Sequence, residues 1–460
     1  MGTFTIFSFT IYYLKDLQIN IKKNFMKTSI TSIFLTIIGL IPMVIMAQNV
    51  VIDGEIRPRV EVRDGFTKPS LTTNDPGVSA VQRTRIGMNF SSGLLNTQIT
   101  LQDSRTFGQN PNASSDATTG IFEAWAEMVL VPGGTLKVGR QTLTYDDKRL
   151  FSASTWSNTG TSHDMALFKY CINDFQGHIG VAYNNNAMIS TETYYTPKSN
   201  YRYMGFVWLT KDIVNGLNLS LIGVDEGVQD TIGTKNGTNY LKTNMYHAYT
   251  YGGNLKFANP AIPISALATA YFQGGKNISG SKLNGKQLAI NIDYKFSTVF
   301  TATIGSNYIS GDNTATDGVQ SNFKKLYGTD HSFNGSMEYW KVPLTQGLLD
   351  YYAGVSGKIN KDLSIEGTYH LFDSEYTGKN KKNIAFGKNL GSELDIVVNY
   401  KMNTWTNVQA GWSTYFTNNN TLAAKDIITS TTVAPVIRTP QWAYVMLTIK
   451  PVFLNGAAGK

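Results

Sequence analysis

The sequence is short of several things, and each shortage excludes something. It has one cysteine, Cys171, in 460 residues. It can therefore close no disulfide within itself and build no C-x-x-C metal site. A lone thiol packs as a small hydrophobe, so Cys171 reads as an apolar strand residue. Charged residues make up only 16% and prolines number 13, whereas disorder needs many charges and few aromatics. Beyond the amino terminus no run reaches the ~18 consecutive apolar residues of a membrane-spanning helix. The five histidines, His163, His178, His247, His331 and His370, show no H-x-x-x-H or other metal-ligand spacing. The sequence has no P-loop, no dinucleotide fingerprint and no G-x-S-x-G nucleophile elbow. No cofactor, metal or nucleic-acid partner is expected, and an enzyme is not the leading reading.

What is abundant points elsewhere. There are 42 glycines, 25 tyrosines and 23 phenylalanines. Glycine with aromatics and uncharged polar residues suits β-hairpins and the aromatic girdles of membrane barrels. The formal net charge is +8. Lys15, Lys22, Lys23 and Lys27 against Asp16 put +3 of it in the first 47 residues, so the placement of charge matters more than its sum.

The amino terminus has the order of a secretory signal: a basic start at Lys22, Lys23 and Lys27, an apolar core from Ile33 to Met46, and the small residue Ala47 before Gln48. The core is too short to span a bilayer and contains Pro42. Residues 1–47 are expected to be a cleaved signal region with Met26 as the true start, and residues 48–460 a single domain.

Segments with period-2 alternation recur from Val51 to Phe453. In Gln287 to Phe296, Leu288, Ile290, Ile292, Tyr294 and Phe296 take one face, against Gln287, Ala289, Asn291, Asp293 and Lys295. Leu349 to Ile359 and Glu393 to Met402 alternate in the same way. The alternation predicts 18 strands, centred near residues 57, 85, 100, 125, 138, 167, 179, 205, 220, 252, 269, 291, 304, 354, 367, 396, 410 and 447; 16 strands is the alternative count.

The connections alternate strictly in length. Short ones such as Ser91-Ser92-Gly93, Asn173-Asp174 and Asn215-Gly216 follow the even strands and carry turn residues. Long polar ones, including 106–120, 144–163, 311–347 and 417–440, follow the odd strands. A soluble sandwich has no reason to sort loop length by parity. An outer-membrane barrel does, and only a closed barrel lets strands satisfy their backbone in lipid. The predicted fold is all-β: a transmembrane, antiparallel, up-and-down β-barrel in the bacterial outer membrane. Tyr351-Tyr352 and Trp442 with Tyr444 are expected at its interfacial girdles.

Eight of the ten arginines lie between residues 57 and 149: Arg57, Arg59, Arg63, Arg83, Arg85, Arg105, Arg140 and Arg149. Glu55, Arg57, Arg59, Glu61 and Arg63 share one face of strand 1, opposite Ile56, Val60 and Val62, and Arg83 and Arg85 share one face of strand 2. A charge at the lipid midplane costs about 2–4 kcal/mol, so these faces are expected to point into the lumen. The candidate solute path is Arg57, Arg59, Arg83, Arg85, Arg105 and Arg140, interleaved with Glu55, Glu61, Asp103 and Glu123. The guanidinium is planar and permanently charged, and it binds carboxylates and phosphates bidentately. Ordinary Arg–Glu pairs filling a polar interior are the plainer account of the same pattern.

These residues also carry a resemblance. Arg57-Pro58-Arg59-Val60-Glu61, Gln82-Arg83-Thr84-Arg85, Leu101-Gln102-Asp103-Ser104-Arg105, Glu123-Ala124-Trp125, Gly139-Arg140-Gln141 and Lys148-Arg149-Leu150-Phe151 resemble the alginate-export family of outer-membrane porins. So do Trp156, His163-Asp164, Tyr327-Gly328-Thr329-Asp330-His331-Ser332-Phe333-Asn334-Gly335 and Leu390-Gly391-Ser392-Glu393-Leu394-Asp395. The resemblance implies an 18-stranded barrel with an arginine-lined constriction, and carboxylate-binding arginines on the early strands. Family members of known role pass the polyuronate alginate outward within a secretion complex, but a fold does not carry its substrate with it.

The function expected is passive, anion-selective passage of an acidic solute or an alginate-like polysaccharide. The expected partners are outer-membrane lipid, the anionic solute, and periplasmic secretion or uptake proteins. A general or small-anion uptake porin is the second reading. A barrel-embedded hydrolase, which needs a lumen-rim histidine beside a serine or carboxylate, is the reading from another class.

Overall fold

The computed structural model describes residues 48–109, 119–185, 188, 190, 201–229, 234–235, 238–239, 245–314, 317–329, 331–428 and 435–458. The expected signal region 1–47, Asp330 and parts of several long loops lie outside the described residues.

Period-2 alternation becomes 18 antiparallel barrel strands. They are β1 (Gln48–Asp64), β2 (Gly77–Ser91), β3 (Leu95–Thr106), β4 (Thr119–Val131), β5 (Gly134–Gln141) and β6 (His163–Ile172). Next come β7 (Phe175–Tyr183), β8 (Tyr203–Val214), β9 (Leu217–Gln229), β10 (Met245–Ala258), β11 (Ile264–Gly275) and β12 (Lys286–Lys295). The last are β13 (Phe300–Ile309), β14 (Leu348–Lys358), β15 (Leu363–Asp373), β16 (Asn389–Lys401), β17 (Thr406–Phe416) and β18, which runs in two parts, Gln441–Ile449 and Val452–Ala458. All 18 expected centres fall inside these strands.

Both parts of β18 pair with β1, which closes the sheet on itself. Pro451, which has no N–H to give to a ladder, interrupts β18 between them. The Gly54 N–H still reaches the Pro451 carbonyl at 2.9 Å, so the seam continues across the break. Closure leaves no unpaired edge for lipid to face.

Alternation sorts the side chains. Ile56, Val60, Val62, Ile86 and Met88 are exposed on the outer surface, whereas Glu55, Arg57, Arg59, Glu61 and Arg83 are buried within. Exposed aromatics gather towards the strand ends, with Tyr294, Phe296, Phe300, Tyr400, Trp405 and Phe453 at the short-turn end. This is the position that amphipathic rings prefer at a bilayer interface. The expected girdle is corrected at three positions. Tyr351 does point outward, but Trp442 and Tyr444 are buried inside the barrel and Tyr352 donates to Asn291 Oδ1 within the lumen. A strand-end aromatic takes the face its parity dictates, and these three have inward parity.

Two long connections fold into the barrel instead of standing above it. The 142–162 loop puts Leu143, Tyr145, Leu150 and Phe151 against Met165, Leu167, Met204 and Phe206 on the inner wall. The 310–347 loop puts Met337, Tyr339 and Trp340 against Phe372, Leu390 and Tyr415. The two loops join each other inside the lumen. Tyr327 N–H donates to the Leu150 carbonyl at 2.9 Å, Ser152 N–H to the Tyr327 carbonyl at 3.0 Å, and Thr329 N–H to the Lys148 carbonyl at 3.1 Å. Gly328 sits in this joint, where a Cβ would lie 2.0 Å from the Arg149 carbonyl oxygen, so only glycine allows the approach. A short helix, α1 (Asn419–Ala424), caps one side of the long-loop end and is opened by an Asn418 capping box.

Candidate functional site

The arginines of β1 and β2 spend most of their donors on backbone carbonyls. Arg57 donates through Nη1 to the Thr155 carbonyl and through Nη2 to Trp156 and Ser157, the latter two at 3.1 and 2.9 Å. Arg83 reaches Thr155 and Ser157 at 3.2 and 2.9 Å, and its Nε grips Glu55 Oε1 at 2.6 Å. Arg59 donates to Trp156 at 2.9 Å, pairs with Glu61 at 2.7 Å, and lies over the Trp156 ring at 4.2 Å. Three neighbouring forks thus hold one turn of infolded loop. The turn offers unpaired carbonyls that the wall must satisfy, because a buried orphan acceptor costs about 1–3 kcal/mol. Glu123 does the complementary job at the start of this loop, accepting from Thr142 N and Oγ1 at 3.2 and 3.3 Å.

Arg85 is different. Its Nε donates to Gln102 Oε1 at 2.9 Å and its guanidinium lies 3.6 Å above the Phe122 ring, while Nη2 has no hydrogen-bond partner. Neither Arg85 nor Arg57 has a carboxylate within ion-pair distance among the described residues.

Three of the expected lumen residues face the other way. Asp103 and Arg105 share their side of β3 with the exposed Ile99 and Leu101, and pair across with Thr84 and Gln82 on the outer face of β2. Their 2.6 Å ion pair lies on the barrel's outside, past the apolar band. Arg140 shares the outer side of β5 with Val138, and forms a two-bond fork with Asp164 at 2.8 and 2.7 Å. A polar residue near a strand end can face outward above the lipid at little cost, so charge alone does not fix its side there.

Sequence reasoning missed a second charged wall. On β14 to β16, Asp350, His370, Glu393 and Asp395 are all buried and turned inward. His370 Nδ1 lies 2.9 Å from Asp350 Oδ1, and its Nε2 lies 3.7 Å from Asp395 Oδ2. Glu393 Oε1 accepts from Met337 N–H at 2.7 Å, and Asp395 Oδ2 from Ser336 N–H at 3.1 Å. Gly335, at φ +84°, lies so close that a Cβ there would be 2.7 Å from the Glu393 carboxylate. The Glu393 and Asp395 spacing of two residues was visible in the sequence, but nothing there marked which loop it meets.

Between these walls the lumen holds two chambers. The inner one, of about 880 Å³, opens towards the short-turn end and includes Glu55, Arg57, Arg83, Arg85, Arg149 and Lys450 on one part of its lining and Asp350, Glu366, His370 and Asp395 on another. The outer one, of about 670 Å³, lies towards the long-loop end and includes Arg59, Arg63, Lys68 and Lys341 with Glu61 and Glu338. Among the described residues only Trp156 and His331 line both. Their rings stack at 3.9 Å with 8° between planes, one from each infolded loop. Glu338, beside His331, has a carboxyl that burial alone would raise. The Lys341 ammonium at 2.8 Å and the His331 ring at 3.6 Å outweigh burial and hold it down at about 2.

The family model for alginate export matches residues 50–184, the segment that carries the clustered arginines and the first infolded loop. The motifs beyond residue 184 lie outside that match. Solved outer-membrane proteins of Pseudomonas aeruginosa share the fold. OccK5 (OpdH) is 11% identical, with 89% of this chain and 99% of that chain covered and a TM-score of 0.56. OprD is 11% identical over 88% of this chain and 94% of its own, with a TM-score of 0.57. OpdK, crystallised with vanillate, is 11% identical over 88% and 99%, with a TM-score of 0.56. No curated protein matches by sequence. The resemblance read from the sequence holds over residues 50–184, and the chain has the fold of an outer-membrane β-barrel.

Proposed function

We propose that this porin is a passive channel for small acidic solutes, drawn through the lumen along its basic side. The observation that carries the reading is a ladder that crosses the door between the chambers. Arg63 and Arg59 line the outer chamber, and Arg57, Arg83 and Arg85 the inner one, on the inward faces of two adjacent strands. Arg85 lines the inner chamber with its guanidinium backed by the Phe122 ring and with no carboxylate paired to it among the described residues, a geometry suited to a carboxylate. Lumen walls of low dielectric focus such a field and raise the local concentration of the opposite charge. Passage needs no cofactor and no covalent step.

The size of the solute follows from the infolded loops. They leave two modest chambers and a stacked aromatic pair between them, which favours small acids over a thick polymer. Export of an acidic polysaccharide is the second reading, favoured by the match of residues 50–184 to alginate export. It requires both loops to withdraw and periplasmic secretion proteins to deliver the chain.

The test is single-channel conductance in planar bilayers with the reversal potential under a salt gradient. The wild type should prefer chloride to potassium, and Arg85→Gln should lose much of that preference without losing conductance. Preference for potassium in the wild type would overturn the reading. Block by polyuronate from the periplasmic side alone would favour the export reading.

A further inference from the structure

The inner chamber is not uniformly basic, and its asymmetry narrows the class of solute. The positive excess sits on β1, β2 and β18. Arg57 and Arg85 have no carboxylate partner among the described residues. Among the described residues Lys450 pairs only with Glu55, at 3.5 Å, and Arg83 already holds that carboxylate at 2.6 Å. The negative excess sits on β14 to β16. Glu366 is exposed into the chamber and makes no hydrogen bond or ion pair among the described residues. Asp350 and Asp395 share the one imidazole of His370, so even a protonated His370 leaves that side negative. Arg149 and Asp147, paired at 2.8 Å, line the chamber and cancel. Opposite charges held apart by fixed walls set up a transverse field in the space between them.

Resting on the channel reading above, we propose that the inner chamber selects solutes that carry a carboxylate and a separate ammonium group. A simple anion gains at the Arg85 side and loses at the Glu366 side. A carboxylate–ammonium zwitterion long enough to span the space gains at both ends. Both solutes make the contact at the arginine side, so the second contact decides the preference.

Liposome swelling with the full-length protein tests this, using ε-aminohexanoate, hexanoate and hexylammonium as the three solutes. ε-Aminohexanoate should enter several-fold faster than hexanoate, although it is the larger molecule, and so sieving cannot produce the result. Glu366→Gln should erase that advantage and speed hexanoate. Arg85→Gln should slow both carboxylates. Hexanoate entering as fast as ε-aminohexanoate in the wild type would overturn the proposal while leaving the acidic-solute channel intact. The advantage surviving in the double variant Glu366→Gln, Asp350→Asn would overturn it as well. Exclusion of both carboxylates with free passage of hexylammonium would instead sink the channel reading on which it rests.

Discussion

The two charged walls hold the two infolded loops by opposite chemistry. On β1 and β2, arginines reach for carbonyls: Arg57, Arg59 and Arg83 bind the backbone oxygens of residues 155–157. On β16, carboxylates reach for amides: Glu393 binds Met337 N–H and Asp395 binds Ser336 N–H. A loop that enters a barrel brings unpaired backbone with it, and the side chain it meets must complement whichever end of the peptide points at the wall. Much of the lumen's charge is thus anchorage. What is left over, Arg85 on one side and Glu366 on the other, is available to solute.

The strongest way to break the comparison is to remove an anchor. Arg83→Ala leaves Glu55 facing Lys450 alone and takes away one of the two arginine donors that the Thr155 and Ser157 carbonyls share. Loss of one partner from a buried charged pair costs about 3–5 kcal/mol. The 142–162 loop should leave the lumen, conductance should rise several-fold with noisy current, and trypsin should gain access after Lys148 or Arg149. On the other wall, Glu393→Leu should release the 331–338 segment instead, leaving the Lys148 site protected. Cleavage at Lys148 in both variants would mean that the loops, joined at Tyr327 and Leu150, undock as one body.

Removing the door should have a smaller effect. Trp156→Ala takes away one ring of the stack but none of the carbonyls that Arg57, Arg59 and Arg83 bind. Conductance should rise while the reversal potential stays near the wild-type value. A shift of selectivity would show that the Trp156 ring places Arg59 and does more than fill space.

The barrel was legible in the sequence because two independent signals agreed, the period-2 alternation and the parity of loop length, and both survive errors of a residue or two. The arginine wall was legible because arginine is rare here and its spacing on β1 and β2 is even. The signal failed where lipid stops enforcing it. Arg105, Asp103 and Arg140 stand near strand ends, where either face is wet. Trp442 and Tyr444 were assigned to the interface by residue type, although their parity puts them inside. The acidic wall stayed hidden because Asp350, His370, Glu393 and Asp395 come from three strands and are gathered only by register: His370 stands opposite Tyr352 on β14 and Glu393 on β16. The motif from Tyr327 to Gly335 held information whose meaning needed coordinates. Gly328 and Gly335 mark the two places where the second loop presses against the first loop and against Glu393.

The smallest expected effect concerns acid, and it separates the two loops by their tethers. The carboxyl of Glu338 is held at about 2, below its usual value of 4.5. Its tether to Lys341 and His331 therefore contributes fully above pH 4.5 and is lost only as pH falls towards 2. Lowering the pH from 7 to 5 should leave the Glu338 tether in place. Release of the tether should appear as conductance that rises as the pH falls towards 2. Glu338→Gln, which lacks the carboxylate at every pH, should raise conductance slightly at pH 7 and remove that acid-dependent rise. If the rise persists in Glu338→Gln, the tether does not govern the door.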